Sequence, residues 1–381
     1  MKLTRREFSA GLAAGLAAPA LMRSAWAQGA TIKIGMCVPV TGPAAEQGLW
    51  AQNGAKLALA AVNKAGGVLG KQVELVIEDD QTTNPGIVLA FSKLAAQSDI
   101  VAFLGSIRST QVQAMAPDVI KVGKPVMIGG TNPDLTHSGN PWLFRFRPND
   151  NYSGRVIADF GVTTLGKKKW AIVHSTDAFG TAGGKALSEA LTKLGAPPVL
   201  DQGYANQSQD FTPVVLAVKQ SGADVLGTYF TFENDLGIFA RQLRQLGVNI
   251  PWVGSPSVVA VSSTKLAGPA LFGTYGVADF AEDSSDTAKA FGKAYRDAYK
   301  TAPDNQSAWP YDAITILSAA INKAGSTDPN KIRDAILATQ KFAGAEGEYN
   351  FDKNGDGLHG YNVVKNDKGK IVYDKHIDFN D

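Results

Sequence analysis

The sequence predicts an α/β protein built as two doubly wound lobes joined by a hinge. Short apolar runs rich in β-branched residues alternate with helical segments, the pattern of βαβ units and a parallel sheet covered on both faces. The alternation comes as two series, divided after Phe144-Arg145-Phe146-Arg147-Pro148. A chain of 381 residues that is 44% hydrophobic is too long for one ordinary core and has enough apolar side chains for two.

In the first series the strand Ile32 to Val40 precedes the helix Ala51 to Lys64, Val73 to Glu78 precedes Gly86 to Gln97, and Val101 to Gly105 precedes Thr110 to Val122. Val126 to Gly129 closes it. The second series runs through the helix Tyr152 to Leu165, the strand Ala171 to Ser175, the helices Ala182 to Leu194 and Phe211 to Ser221, and the strand Ala223 to Tyr229. The helix Asp235 to Leu246 and the strands Trp252 to Gly254 and Gly273 to Val277 complete it. Helices at Ser285 to Tyr299, Tyr311 to Ala324 and Asn330 to Thr339 follow without strands between them, so they are expected to return to the first lobe. Gly360 to Val364 and Lys370 to Tyr373 flank Asn366-Asp367-Lys368-Gly369 and read as a hairpin. The expected divisions are 28–147 for lobe 1, 148–276 for lobe 2, 277–359 back in lobe 1, and 360–381 as a hairpin on lobe 2.

Residues 1–27 read as an export signal. Arg5-Arg6 lies before the short apolar run Ser9 to Met22, and Ala25-Trp26-Ala27 forms an A-x-A site, so Gln28 is the expected new N-terminus. Thr4-Arg5-Arg6-Glu7-Phe8 resembles a twin-arginine signal, although Ser9 and Ala10 depart from its usual ending. Pro19 interrupts the apolar run, which is too short to span a bilayer. The remaining 33 basic and 34 acidic residues form no basic stripe, which argues against nucleic acid as a partner. Cys37 has no partner for a disulfide and is expected to be buried and inert.

Catalytic signatures are absent: there is no dinucleotide, phosphate-loop, nucleophile-elbow or zincin motif, and no cofactor is expected. Gly66-Gly67-Val68-Leu69-Gly70-Lys71 falls one residue short of a phosphate loop and reads as a turn. The four histidines lack ligand spacing, so no metal site is expected. Asp352 to Gly357 imitates half of a calcium loop but has Val363 where the closing Glu belongs, and is expected to be a surface turn.

Ligands of open α/β sheets sit beyond the carboxyl ends of the strands, and two facing lobes make a cleft there. On the first lobe, Ser109-Thr110 opens a helix and Gly129-Gly130-Thr131-Asn132-Pro133-Asp134 combines close-approach glycines with a capping Thr. Such segments suit anion capture by backbone N–H groups, or are ordinary caps. On the second lobe Phe179, Phe230 and Phe232 form either an apolar wall or part of the core.

These loops carry a family resemblance. Thr41-Gly42-Pro43, Gly54-Ala55, Ala61 to Gly70, Glu78-Asp79-Asp80, Thr131 to Thr136, Phe144-Arg145, Phe179-Gly180, Asp210-Phe211 and Tyr311-Asp312-Ala313 together resemble the leucine/isoleucine/valine-type solute-binding proteins of ABC importers, with the type I periplasmic binding-protein fold. The resemblance implies a ligand carboxylate at Ser109, Gly129, Gly130 and Thr131, with Gln47 beside it and Phe179 and Phe232 opposite. Pro256 stands where amino-acid-binding members carry the acid that holds the ammonium, and Glu233 and Asp177 are the acids near enough to substitute. Arg108 stands where some members have half of a disulfide; it is either a structural replacement or an added cation in the cleft.

The function expected is that of a periplasmic receptor, monomeric and not an enzyme, that closes on a small carboxylate-bearing solute and delivers it to a membrane permease. An aromatic or branched aliphatic acid is slightly preferred over an amino acid. A sensory ectodomain partner and a secreted doubly wound enzyme are the alternatives.

Overall fold

Two sheets account for nearly every strand of the computed structural model, which describes residues 31–379; the export-signal expectation lies outside them. In the first sheet β1 (Ile32–Val38), β2 (Val73–Asp79), β3 (Ile100–Leu104), β4 (Val126–Ile128) and β5 (Leu143–Arg145) run parallel in the order β2-β1-β3-β4-β5. Helices α1 (Ala45–Lys64), α2 (Asn84–Ala95) and α3 (Ser109–Val122) and the single turn α4 (Asp134–His137) make the connections.

The chain then crosses to α5 (Asp150–Asp159), β6 (Trp170–Ser175), α6 (Ala178–Lys193), β7 (Leu200–Tyr204), α7 (Thr212–Gln220), β8 (Val225–Tyr229), α8 (Glu233–Gln245), β9 (Trp252–Gly254), α9 (Val261–Ala267) and β10 (Tyr275–Ala278). It returns as α10 (Asp286–Tyr299), α11 (Asn305–Ala324), α12 (Pro329–Leu337) and the small ribbon β11 (Phe342–Ala343) and β12 (Glu348–Tyr349). Finally β13 (Gly360–Asp367) and β14 (Lys370–Asp378) add antiparallel to the second sheet, whose order is β14-β13-β10-β9-β8-β6-β7. The predicted fold class, α/β with two doubly wound lobes, is what forms, the second sheet being parallel except for β13 and β14.

Each sheet is apolar on both faces because helices cover both. In the first lobe Met36, Ala51, Ala55, Trp309, Ile314 and Leu317 pack on one face, while Cys37, Phe91, Phe103, Val112 and Met115 pack on the other. Cys37 is buried as expected, and burial pushes its thiol well above the usual range. Helix α11 lies so close to α1 that a Cβ at Gly54 would collide with the Ser307 carbonyl. The second sheet buries Val156, Ile157 and Leu187 on one side and Val215, Leu236, Phe239 and Leu243 on the other.

The three crossings between lobes are tied together. Tyr349 donates to the Phe146 carbonyl at 2.9 Å, Tyr361 to that of Pro148 at 2.7 Å, and Asn362 Nδ2 to that of Asp279 at 2.8 Å. The segment Asp352 to Gly357 is not a surface turn throughout. Its second half is buried, because Asp356 supplies the counter-charge to the buried Arg145, with Nε donating to Oδ1 at 2.8 Å.

Candidate functional site

The carboxyl ends of the two sheets face one another across a cavity of about 60 Å³. The loop after β3 brings Ile107 to Thr110 and the loop after β4 brings Thr131. The second lobe contributes Asp177 and Phe179 after β6, Phe230, Thr231 and Glu233 after β8, and Pro256, Ser257 and Ala260 after β9. Gln47 on α1, Arg147 on the first crossing, and Asn305 and Gln306 at the start of α11 close the ring.

On the first lobe, one arginine shapes the loop after β4. Arg145 donates to the carbonyls of Gly130 (2.9 Å), Asn132 (2.8 Å) and Pro133 (3.1 Å), fixing the course of the loop. Ser109 Oγ accepts from the N–H groups of Thr131 and Asn132, both at 3.1 Å, so the hydroxyl is polarised and its own proton remains for a ligand. Thr131 is not a helix cap: α4 starts at Asp134, and the Thr131 hydroxyl donates to Asp150 at 3.0 Å. Burial pushes the Asp150 carboxyl up to about 7.

Arg108 spans the cleft. Its Nη2 donates to Gln47 Oε1 at 2.6 Å, its Nη1 donates to the Thr231 carbonyl, and its guanidinium lies 4.4 Å over the Phe232 ring. Gln47 Nε2 in turn donates to Glu233 Oε1. Burial pushes the Glu233 carboxyl up to about 7, against the pull of the Arg108 charge. Asn132 Nδ2 donates to the Ala178 carbonyl at 3.1 Å, a further bond between the lobes, so the cleft is closed.

Two arginines, Arg108 and Arg147, and two acids, Asp177 and Glu233, line the cavity. Arg147 pairs with Asp279 and donates Nη1 to the Gly129 carbonyl at 3.2 Å. The N-terminus of the 20-residue helix α11 adds its partial charge beside Asn305 and Gln306, and that of α3 adds another.

Of the residues singled out from sequence, Gln47, Arg108, Ser109, Thr131, Phe179, Glu233 and Pro256 line this cavity. Gly129, Gly130 and Phe232 do not. A Cβ at Gly129 would sit 2.7 Å from the Trp309 indole and one at Gly130 would sit 2.8 Å from Leu135, so both are packing glycines; Phe232 lies beneath Arg108. Phe230 is core first, 1% exposed with its ring 4.7 Å from that of Tyr204, and only its edge reaches the cavity.

Sequence reasoning missed Arg147, Ser257, Asn305 and Gln306. The last two were findable, since Asp304-x-x-Ser307 is a capping box: Asp304 Oδ1 accepts from Gln306 N at 3.0 Å and Ser307 Oγ from Asp304 N at 3.0 Å. His137, Asp352 and Asp356 bring three ligand-type atoms within 4.8 Å of one another, but Arg145 and Thr136 already occupy Asp356 Oδ1. The trio fits a cation poorly.

The family model described as periplasmic binding protein matches residues 31–370. The amino acid binding protein of Pseudomonas aeruginosa is 30% identical over 349 residues, covering 90% of this chain and 92% of its own length. The Leu/Ile/Val-binding protein homolog 1 of Brucella melitensis is 29% identical over 352 residues, 91% of this chain and 92% of its own. Among solved structures, the leucine binding protein LivK of Thermotoga maritima superimposes with a TM-score of 0.86 at 25% identity, covering 91% of this chain and 99% of that one.

Proposed function

Since the chain belongs to the periplasmic binding proteins, of the leucine/isoleucine/valine type, we propose that it is an exported, monomeric receptor that captures a small carboxylate-bearing solute by lobe closure and hands it to the permease of an ABC importer. The observation that carries the ligand class is the pair of guanidinium groups, Arg108 and Arg147, at one small cavity that also receives two helix N-termini. An anion gains from all four, and Ser109 supplies a directed hydroxyl.

The cargo we favour is an aromatic or branched aliphatic acid. An ammonium in this cavity would meet Pro256 and Ser257 on the β9 loop, neither of which carries a charge, and a buried ammonium without an anion is costly. Closure follows from differential binding: the acid touches Ser109 and Thr131 on one lobe and Phe179 on the other only when the cleft is shut. A second reading, an α-amino acid, is favoured by Glu233, whose carboxylate lines the cavity and would pair with an ammonium.

A thermal-shift panel of leucine, phenylalanine, benzoate and short branched acids separates the two. Stabilisation by acids lacking an amine is the expected result; stabilisation by leucine and by none of those acids would overturn the preference. Mass spectrometry of ligand released after incubation should return it unchanged, as binding without turnover requires.

A further inference from the structure

On the same seam between the lobes lies a second chamber of about 580 Å³. Pro256, Ala260 and Asn305 line both spaces, so the partition between them is one residue thick. The ligand cavity itself has room for on the order of five water molecules, too little for an acid longer than benzoate to be held there alone.

The chamber suits an apolar occupant. Its acidic groups are engaged: Glu282 accepts from Arg296 Nη1 at 2.5 Å, and Asp304 accepts from Val261 N at 2.8 Å and Gln306 N at 3.0 Å. Lys370 and Asp283, both exposed, are the charged exceptions. Much of the remaining wall is aliphatic or aromatic, from Val259, Val261, Phe280, Ala281, Ile371 and Tyr373. Val261 in this wall is 36% exposed, a large apolar side chain only partly covered.

We propose that this chamber is the tail subsite of the same ligand: the cargo is a carboxylate with an apolar, chain-extended end, its head in the small cavity and its tail running past Ala260. The proposal rests on the carboxylate reading above and narrows it to acids longer than benzoate.

Calorimetry with benzoate, 3-phenylpropionate and 5-phenylpentanoate tests it. Affinity should rise with chain length, by about fourfold for each methylene newly buried. Val261→Trp, which fills the chamber, should abolish the rise and leave benzoate unchanged. Tyr373→Ala, on the hairpin, should weaken 5-phenylpentanoate several-fold and benzoate not at all. Affinity that is flat or falling with length in the unaltered protein overturns the tail subsite while leaving the carboxylate reading in place, as does an equal loss for all three acids in both variants. Failure of every acid to bind, with leucine binding, overturns both.

Discussion

Replacing Asp356 by alanine is expected to destabilise the fold by ~3–5 kcal/mol, the range for removing one partner of a buried ion pair. Asp356 is 1% exposed and accepts four hydrogen bonds: from Arg145 Nε at 2.8 Å, Thr136 Oγ1 at 2.7 Å, Asn149 Nδ2 at 2.8 Å and His137 Nε2 at 3.1 Å. Alanine leaves the buried Arg145 with neutral acceptors only, while Asn149 loses its acceptor. Asp356→Asn keeps the shape and removes the charge, so a smaller loss of ~1.5–3 kcal/mol is expected, the worth of a charged hydrogen bond. Urea unfolding followed by circular dichroism measures both, with an unchanged m-value as the sign that stability alone has moved.

The pH dependence is fixed in sign. Burial pushes the Asp356 carboxyl up, but Arg145, together with His137 and Thr136, outweighs it and holds the group well below the usual carboxylate range. Its contribution is therefore fully present above the unfolded value near ~3.9 and is lost as the pH falls below it, so the gap to Asp356→Asn should narrow in acid. A loss under ~1 kcal/mol for the alanine variant at neutral pH, against the 3–5 expected, would refute the account of Arg145 as a buried cation that needs this partner.

Ser109→Ala removes the acceptor of two loop N–H groups along with the hydroxyl proposed to donate to the ligand, and Thr131→Ala frees Asp150; each should weaken carboxylate binding about tenfold or more by calorimetry, and wild-type affinity in both would show that neither meets the ligand. Because the Glu233 carboxyl sits near 7 in the closed cleft, an acid without an amine should bind more weakly as the pH rises from 6 to 8, where Glu233 becomes charged, and Glu233→Gln should flatten that profile. Gly54→Ala should cost ~1–3 kcal/mol in urea unfolding by forcing α1 away from Ser307. Export measured in periplasmic extracts should stop in Arg5→Lys with Arg6→Lys, and unchanged secretion would remove the twin-arginine assignment.

Strand and helix alternation was legible wherever the core dictates the residue type. Ile32 to Val38 and Ala171 to Ser175 are buried on both faces and read as unbroken apolar runs. The strand Leu200–Tyr204 was not legible: it lies at the sheet edge, pairs on one side only, and carries Asp201, Gln202 and Gly203. Helix α1 starts six residues before its expected start because no side chain caps it and Gly48 falls in its first turn, so neither usual sign marks the boundary. Helix α11 likewise starts six residues before its expected start at Tyr311, and carries Pro310 within its second turn.

Side chains that project from one loop into the cleft were legible, since a strand end followed by a cap signal localises them. Arg147 was not, because it lies on a crossing segment rather than a strand end, and no local pattern distinguishes a hinge arginine from a surface one. Its neighbour Arg145 shows why the distinction matters. Two residues apart on an extended segment, the two guanidinium groups serve different ends: Arg145 is enclosed with Asp356 and holds the carbonyls of the loop after β4, while Arg147 pairs with Asp279 and reaches the cavity. Both bonds join separate crossings, Asp356 on the third and Asp279 on the second. The guanidinium that reaches the cavity is thus anchored to a crossing between the lobes, so on the proposed reading ligand capture and the geometry of closure share the Arg147–Asp279 pair.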